Sequence, residues 1–277
     1  VKNYLKLVNF EVNRFIKVYL SLIGITVVLQ LVGTFLKSKS YLKEANWMIY
    51  KEGVPVQEFL EMNGYMDLVR VLGSWWFIFP IIICIAVLLI YVFLIWYRDW
   101  FGKSTFIYRL LMLPTARINI YLAKATTIFL MVLGLVALQL VLLPIENKMI
   151  DVMIPDEFQM ALTSKEAISS YHPLSVLFPN YFSDFLIYYG IGFMVVFLIF
   201  TAILFERSFQ VKGIFYGIIY IAIMMGILVA PIFTVLFTGK SYLYPLELFY
   251  LEIILGILVM ILSILISRYL LNKKITV

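Results

Sequence analysis

Histidine and cysteine each occur once in the 277 residues, as His172 and Cys84, and that scarcity removes several chemistries at the outset. A single thiol, set inside an apolar run, cannot close an internal disulfide. One histidine supplies no His pair and no His-Cys cluster of the kind that holds zinc. A serine–histidine dyad would need His172 at membrane depth, and its setting, YHPLSVLFPNY, reads as a loop. The aspartates Asp67, Asp99, Asp151, Asp156 and Asp184 fall in loops or at the ends of apolar runs, so no intramembrane aspartate pair is expected. Two strings mimic a phosphate loop, Gly102-Lys103-Ser104 and Gly239-Lys240-Ser241. The glycine that would open the cradle is replaced by Tyr97 in one and Thr234 in the other, so backbone amides are not placed around a phosphate. No catalytic, cofactor-binding or metal site is expected in this chain.

Charge is also scarce, at 14% of residues, whereas a soluble domain carries about 25%. What fills the space is apolar: 64% of the chain is hydrophobic and 17% aromatic, in long unbroken blocks that hydrocarbon tolerates and water does not. Six blocks are long enough to cross a bilayer, at about Phe15–Leu36, Val71–Tyr97, Ala125–Ile145, Phe185–Leu204, Gly213–Phe237 and Phe249–Ser267. The first would span about 33 Å at 1.5 Å per residue. The expected fold is therefore all-α, a single polytopic membrane domain over 1–277. Pro80 should kink the second span. Trp75 and Trp76 at one end of it, and Trp96, Tyr97 and Trp100 at the other, have the placing of interfacial anchors. Gly213 and Gly217, four apart, would let another helix approach span five closely. No internal repeat or low-complexity linker interrupts the chain.

Before the first span, Leu5, Val8, Val12, Phe15 and Ile16 share one helical face and Lys2, Lys6, Asn9, Asn13 and Lys17 another. This pattern predicts an amphipathic N-terminal helix in the membrane interface, or else a plain cytosolic cap on span one. The formal net charge of +6 does not read as a nucleic-acid face, because the basic residues sit at the ends of apolar blocks. The N-terminus, the 98–124 connection, the 206–212 turn and the C-terminal tail hold most of the 22 Lys and Arg and few of the 16 acids. The positive-inside rule then puts both termini and the 98–124 loop in the cytoplasm of a multi-pass cell-membrane protein, with 37–70 and 146–183 outside. The apolar windows of spans two through five contain no charge, leaving Lys17 and Glu252 as the charges at depth. Glu252 lies about 24 Å of helix from Arg268, near the outer interface, as an interfacial carboxylate or a polar substrate contact. Without buried charge, ion coupling has no evident carrier.

The most informative connection is Arg98–Lys124, RDWFGKSTFIYRLLMLPTARINIYLAK. Ser104 can cap a short helix over 105–112, and Pro114 disfavours its continuation. Phe106, Ile107, Tyr108, Leu110, Leu111 and Met112 make that helix apolar enough to dock in a groove of another subunit, with Arg109 for an acidic partner. The alternative is a helix resting on the lipid interface.

Leu113, Pro114, Arg117 and Lys124 match the leucine-proline-x-x-arginine pattern and following lysine of a coupling segment. Here the chain resembles the type-2 ABC exporter permeases, over nearly its whole length in architecture and about 25 residues in motif. The resemblance implies a half-transporter: two such chains, identical or paralogous, pair with two ATPase subunits that carry ATP and Mg. A cytoplasmic coupling helix between spans two and three, comprising Ser104, Phe106, Arg109, Leu110, Leu113, Pro114 and Arg117, would then receive the push of ATP-driven closure. The last outer loop, 238–247, is shorter than in larger members, and the small Tyr- and Phe-rich form looks more like bacterial peptide-export or antimicrobial-peptide-resistance permeases. Such a dimer in the lipid bilayer would export an apolar or amphipathic substrate, a peptide or an antimicrobial compound, with no cofactor in this chain and no nucleic-acid partner. A non-transporting membrane sensor or scaffold, and a secondary transporter, are the alternative readings.

Overall fold

Apolar side chains at membrane depth leave the backbone no water to bond, so each spanning segment must satisfy its own amides, and a helix does so. The computed structural model describes residues 2–101, 106–160, 162–238 and 244–275, apart from the side chains of Lys2 and 234–238. Ser104, both Gly-Lys-Ser strings and residues 239–243 of the 238–247 loop lie outside these residues. The described chain is all-α, with no β-strand and six helices long and apolar enough to cross a membrane. These six are α1 (Lys2–Tyr50), α4 (Trp75–Trp100), α6 (Ile118–Met153), α9 (Phe182–Phe209), α10 (Val211–Thr238) and α11 (Pro245–Lys273). Between them lie the short helices α2 (Val56–Asn63), α3 (Leu68–Leu72), α5 (Phe106–Leu111), α7 (Ser164–Ser170) and α8 (His172–Leu177).

The helices outrun the apolar windows that announce them. The expected interfacial helix is continuous with span one: α1 has 49 residues, about 73 Å of helix against about 30 Å of hydrocarbon. Helix α6 has 36 residues and runs through Pro144 to Met153, two residues before Pro155. Lys124 and Glu146, expected just outside span three, therefore belong to its helix. Helix α4 likewise takes in Arg98 and Asp99.

Close contacts divide the chain into two compact units, and α1, α4 and α6 each contribute a part to both. The first unit comprises residues 1–14, 88–130 and 181–277. In it α9 packs against α10 and α11 around Met194, Leu198, Tyr220, Met224 and Val259. Gln210, at φ 56°, makes the α9–α10 turn. The paired glycines do permit close approach: a Cβ on Gly213 would lie 2.1 Å from the Phe205 carbonyl oxygen, and one on Gly217 3.1 Å from that of Ala202. Hydroxyls satisfy one another in the same interior, Thr201 with Ser267 at 2.9 Å and Tyr220 with Ser263 at 2.7 Å.

The second unit comprises residues 15–87 and 131–180. One apolar cluster runs through it, joining Tyr41 and Ala45 of α1, Phe59 of α2, Leu72 of α3, Phe77 of α4, Leu143 and Ile150 of α6 and Leu174 of α8. The two long connections fold onto each other. The Met66 amide bonds the Phe158 carbonyl at 2.9 Å, and the Met160 amide returns to Met66 at 3.2 Å. Asp67 caps α3 by accepting from the Arg70 amide, and Thr163 with Glu166 forms a capping box at α7.

Candidate functional site

Charges are scarce enough that a group of them in one place needs an explanation, and the first unit contains one. Glu11 and Arg14 stand one turn apart on α1, Arg98 and Asp99 end α4, and Lys124 lies in the second turn of α6. The Lys124 ammonium donates to Glu11 at 2.7 Å, to Asp99 at 2.5 Å and to the Ile95 carbonyl at 2.8 Å, which uses all three of its protons. Arg14 donates to the other oxygen of Asp99 at 2.6 Å, and Arg98 to the other oxygen of Glu11 at 2.9 Å. Lys124 and Asp99 are wholly buried and Glu11 nearly so. Taking such groups from water costs several kcal/mol per ion, and here it is offset because every ammonium proton of Lys124 and every carboxylate oxygen of Glu11 and Asp99 has a partner. Three cations and two carboxylates leave the group one positive charge in excess.

The cluster reaches the short helix α5 through aromatic rings. The Arg14 guanidinium lies 5.1 Å from the ring centres of both Phe10 and Phe106, and those rings stack at 5.7 Å. Phe10 and Phe106 also line a cleft of about 480 Å³ between the start of α1 and α5, together with Asn3, Lys6, Arg109 and Leu113. Its walls are mostly apolar and its rim carries the cations Lys6 and Arg109.

A second arginine binds α9 to the end of α4. The Arg207 guanidinium lies 4.7 Å from the ring centre of Tyr97, 5.0 Å from Phe101 and 5.7 Å from Trp100, while the Tyr97 hydroxyl donates to Glu206. Arg117 secures the end of α11 by donating to the carbonyls of Leu271 at 2.7 Å and Ile275 at 2.9 Å. These contacts gather the N-terminal ends of α1 and α6 and the C-terminal ends of α4, α9 and α11 at one end of the first unit.

The residues expected in the coupling segment divide by environment. Arg109 and Pro114 are exposed and Leu113 nearly as open, so these can meet another molecule. Phe106 is half-buried against Phe10. Leu110 turns inward with Ile107 and Leu111 to anchor the helix, and the exposed apolar side chain is instead Met112. Arg117 is occupied in holding α11. Glu252 is half-buried with one carboxylate oxygen unpartnered among the described residues. It lies about 28 Å along α11 from Leu271, remote from the ion cluster.

The windows of spans two through five are free of charge as read, but the helices that carry spans two and three continue past them into Arg98, Asp99, Lys124 and Glu146. Their apolar windows stop at Tyr97 and start again at Ala125, one residue short of Arg98 and one past Lys124. A hydropathy window ends where charge begins, whereas the helix continues if a partner neutralises that charge. The available signal was that Glu11 and Asp99 are the only acids in two otherwise basic segments. Comparison with protein-family models, with curated proteins and with solved structures returns no match to this chain.

Proposed function

We propose that this polytopic membrane protein is the permease half of an ATP-driven exporter, with its ATP hydrolysed by a separate subunit gripping α5. The observation that carries this reading is the connection from an exposed short helix to a buried ion cluster. Helix α5 and the turn that follows it present Arg109, Met112 and Leu113 outward, while Phe106 on the other side of α5 stacks on Phe10 beneath Arg14. Arg14 is paired in turn with Asp99, and Asp99 with Lys124, so a displacement of α5 is felt at the ends of α4 and α6. Packed groups of this kind have discrete arrangements, which makes the cluster suited to switching between two settings.

The charge asymmetry supports placing this end in the cytoplasm. Lys6 and Arg109 at the cleft rim suit an acidic segment of the motor subunit, and the apolar walls suit its hydrophobic anchor. A second copy or a paralogue would complete the path, and lipid-facing apolar helices favour an apolar or amphipathic cargo, such as a peptide or antimicrobial compound.

The test is to solubilise the full-length chain from its native membrane in mild detergent and identify what copurifies. An ATPase is expected to accompany the wild type and to fall at least tenfold in yield when Arg109→Glu is combined with Met112→Glu. Arg14→Ala is expected to retain the ATPase but lose substrate-stimulated hydrolysis. ATP hydrolysis by the isolated chain, or ATPase recovery unchanged by the α5 substitutions, would overturn the proposal. A sensor or scaffold would copurify with no ATPase; a secondary transporter would instead move cargo on an ion gradient.

A further inference from the structure

In the second unit a row of polar side chains follows one face of α1: Thr26, Gln30, Thr34 and Ser38, one turn apart and each no more than 1% exposed. Most of the row is internally matched. Thr26 meets Cys84 at 3.3 Å, Gln30 donates to Gln139 at 3.1 Å and to the Phe77 carbonyl at 3.4 Å, and Thr34 donates to the Gln30 carbonyl at 3.0 Å. The last member is different. Ser38 Oγ has no hydrogen-bond partner among the described residues.

Two further groups share that property. Ser74, which precedes α4, is 4% exposed with Oγ unpartnered, and Glu146 of α6 is 0% exposed with both carboxylate oxygens unpartnered. Helix register brings the three toward the same end of these helices. Gln30 ties α1 to both α6 and α4, through Gln139 and Phe77. Helices α1 and α6 run in the same direction, since Tyr19 meets the Met131 carbonyl below the Gln30–Gln139 pair. Eight residues on from Gln30 is Ser38, about 12 Å; seven on from Gln139 is Glu146, about 10.5 Å. Helix α4 runs the opposite way, with Gly33 beside Trp76, so its N-terminal end and Ser74 lie on the same side. Leu143 and Ile150, flanking Glu146 by one turn each way, belong with Tyr41, Leu72 and Phe77 to one apolar cluster. The surroundings are therefore apolar, and no ion pair reaches Glu146 among the described residues.

We propose that Glu146, Ser38 and Ser74 form a binding site for one monovalent alkali cation, with sodium as the probe, between α1, α4 and α6. The donors are all hard oxygens, which suits an alkali or alkaline-earth cation and not a transition metal. A single carboxylate neutralises one positive charge; a divalent ion would retain an unmatched charge in a low-dielectric interior, where uncompensated charge is most costly. Gln30, whose Oε1 is also unpartnered, lies further along the same polar row. The site does not depend on the exporter reading; it concerns a different unit and a different ligand.

The test uses the purified full-length chain in detergent, titrated with NaCl against choline chloride at constant ionic strength while Tm is followed. Sodium should raise the Tm of the wild type saturably, because a ligand that binds only the folded state stabilises it. Glu146→Gln should abolish the rise, Ser38→Ala and Ser74→Ala should each weaken the apparent Kd at least tenfold, and Glu61→Gln, at an exposed position of α2, should retain it. If Glu146→Gln does not fold, direct ²²Na binding by the wild type and the two serine variants decides the matter. A Tm that responds equally to choline and sodium, or follows pH with no sodium dependence, would overturn the proposal. So would saturable sodium binding that survives loss of all three side chains.

Discussion

Lys124 is the side chain around which the buried charges of the first unit are arranged. Its three protons are divided between two carboxylates and a backbone carbonyl. Removing it leaves one oxygen of buried Asp99 without a partner and one oxygen of Glu11 with only Arg14, at 3.7 Å. Lys124→Met is expected to destabilise the protein by about 3–5 kcal/mol, the usual cost of removing one partner from a buried ion pair. Arg109→Ala, at an exposed position, should change stability by no more than about 0.5 kcal/mol. Thermal denaturation in detergent measures both. Combining Lys124→Met with Asp99→Asn should cost less than the sum of the two alone, because both changes remove the same Lys124–Asp99 pair.

At the scale of elements, the α9–α10 hairpin depends on an absent side chain. Gly213 faces the Phe205 carbonyl and the Glu206 Cα so closely that any Cβ must push the two helices apart. Gly213→Ala should therefore cost about 1–3 kcal/mol despite alanine's better helix propensity, and Gly213→Leu more, read from the same unfolding transitions. By contrast, a Cβ on Gly226 would meet nothing within 4 Å, so Gly226→Ala should be neutral or stabilising.

Helix α7 offers a pH dependence at the same scale. Hydrogen bonds from the Thr163 amide and hydroxyl hold the Glu166 carboxyl below the usual glutamate range. A lowered folded-state pKa means the unfolded chain binds the proton more readily. The contribution of Glu166 is then complete above its ordinary value of about 4.3 and is lost as pH falls through the lowered one. Hydrogen exchange at the Ala167 amide, which bonds the Thr163 carbonyl, should show protection falling over that acidic window. In Thr163→Ala, protection should be lower at neutral pH and vary less across the same window.

At the scale of the whole molecule, the proposed function requires a particular orientation. Cysteine introduced at Arg109 or Met112, in a chain with Cys84→Ser, should react with an impermeant maleimide only after the cytoplasmic face is opened. Labelling from the external medium in intact cells would reverse the topology, and with it the role assigned to α5.

Much of the architecture was legible from residue order because hydropathy is additive and local. A run of about twenty apolar residues identifies a span whatever it packs against, and Pro114 marks a helix boundary by its own stereochemistry. The short α5 was also expected from its capping and proline signals, although the inward turn of Leu110 was not. Whether a charge ends a helix or is carried inside it depends on partners distant in sequence. Lys124 is 113 residues from Glu11 and 25 from Asp99. Sequence by itself determined that the chain spans a membrane with six helices, since transfer into hydrocarbon is decided residue by residue. Only tertiary structure decided that Lys124 is matched and that Glu146 is buried with no protein partner in its described surroundings, since desolvation and pairing belong to the packed helices together.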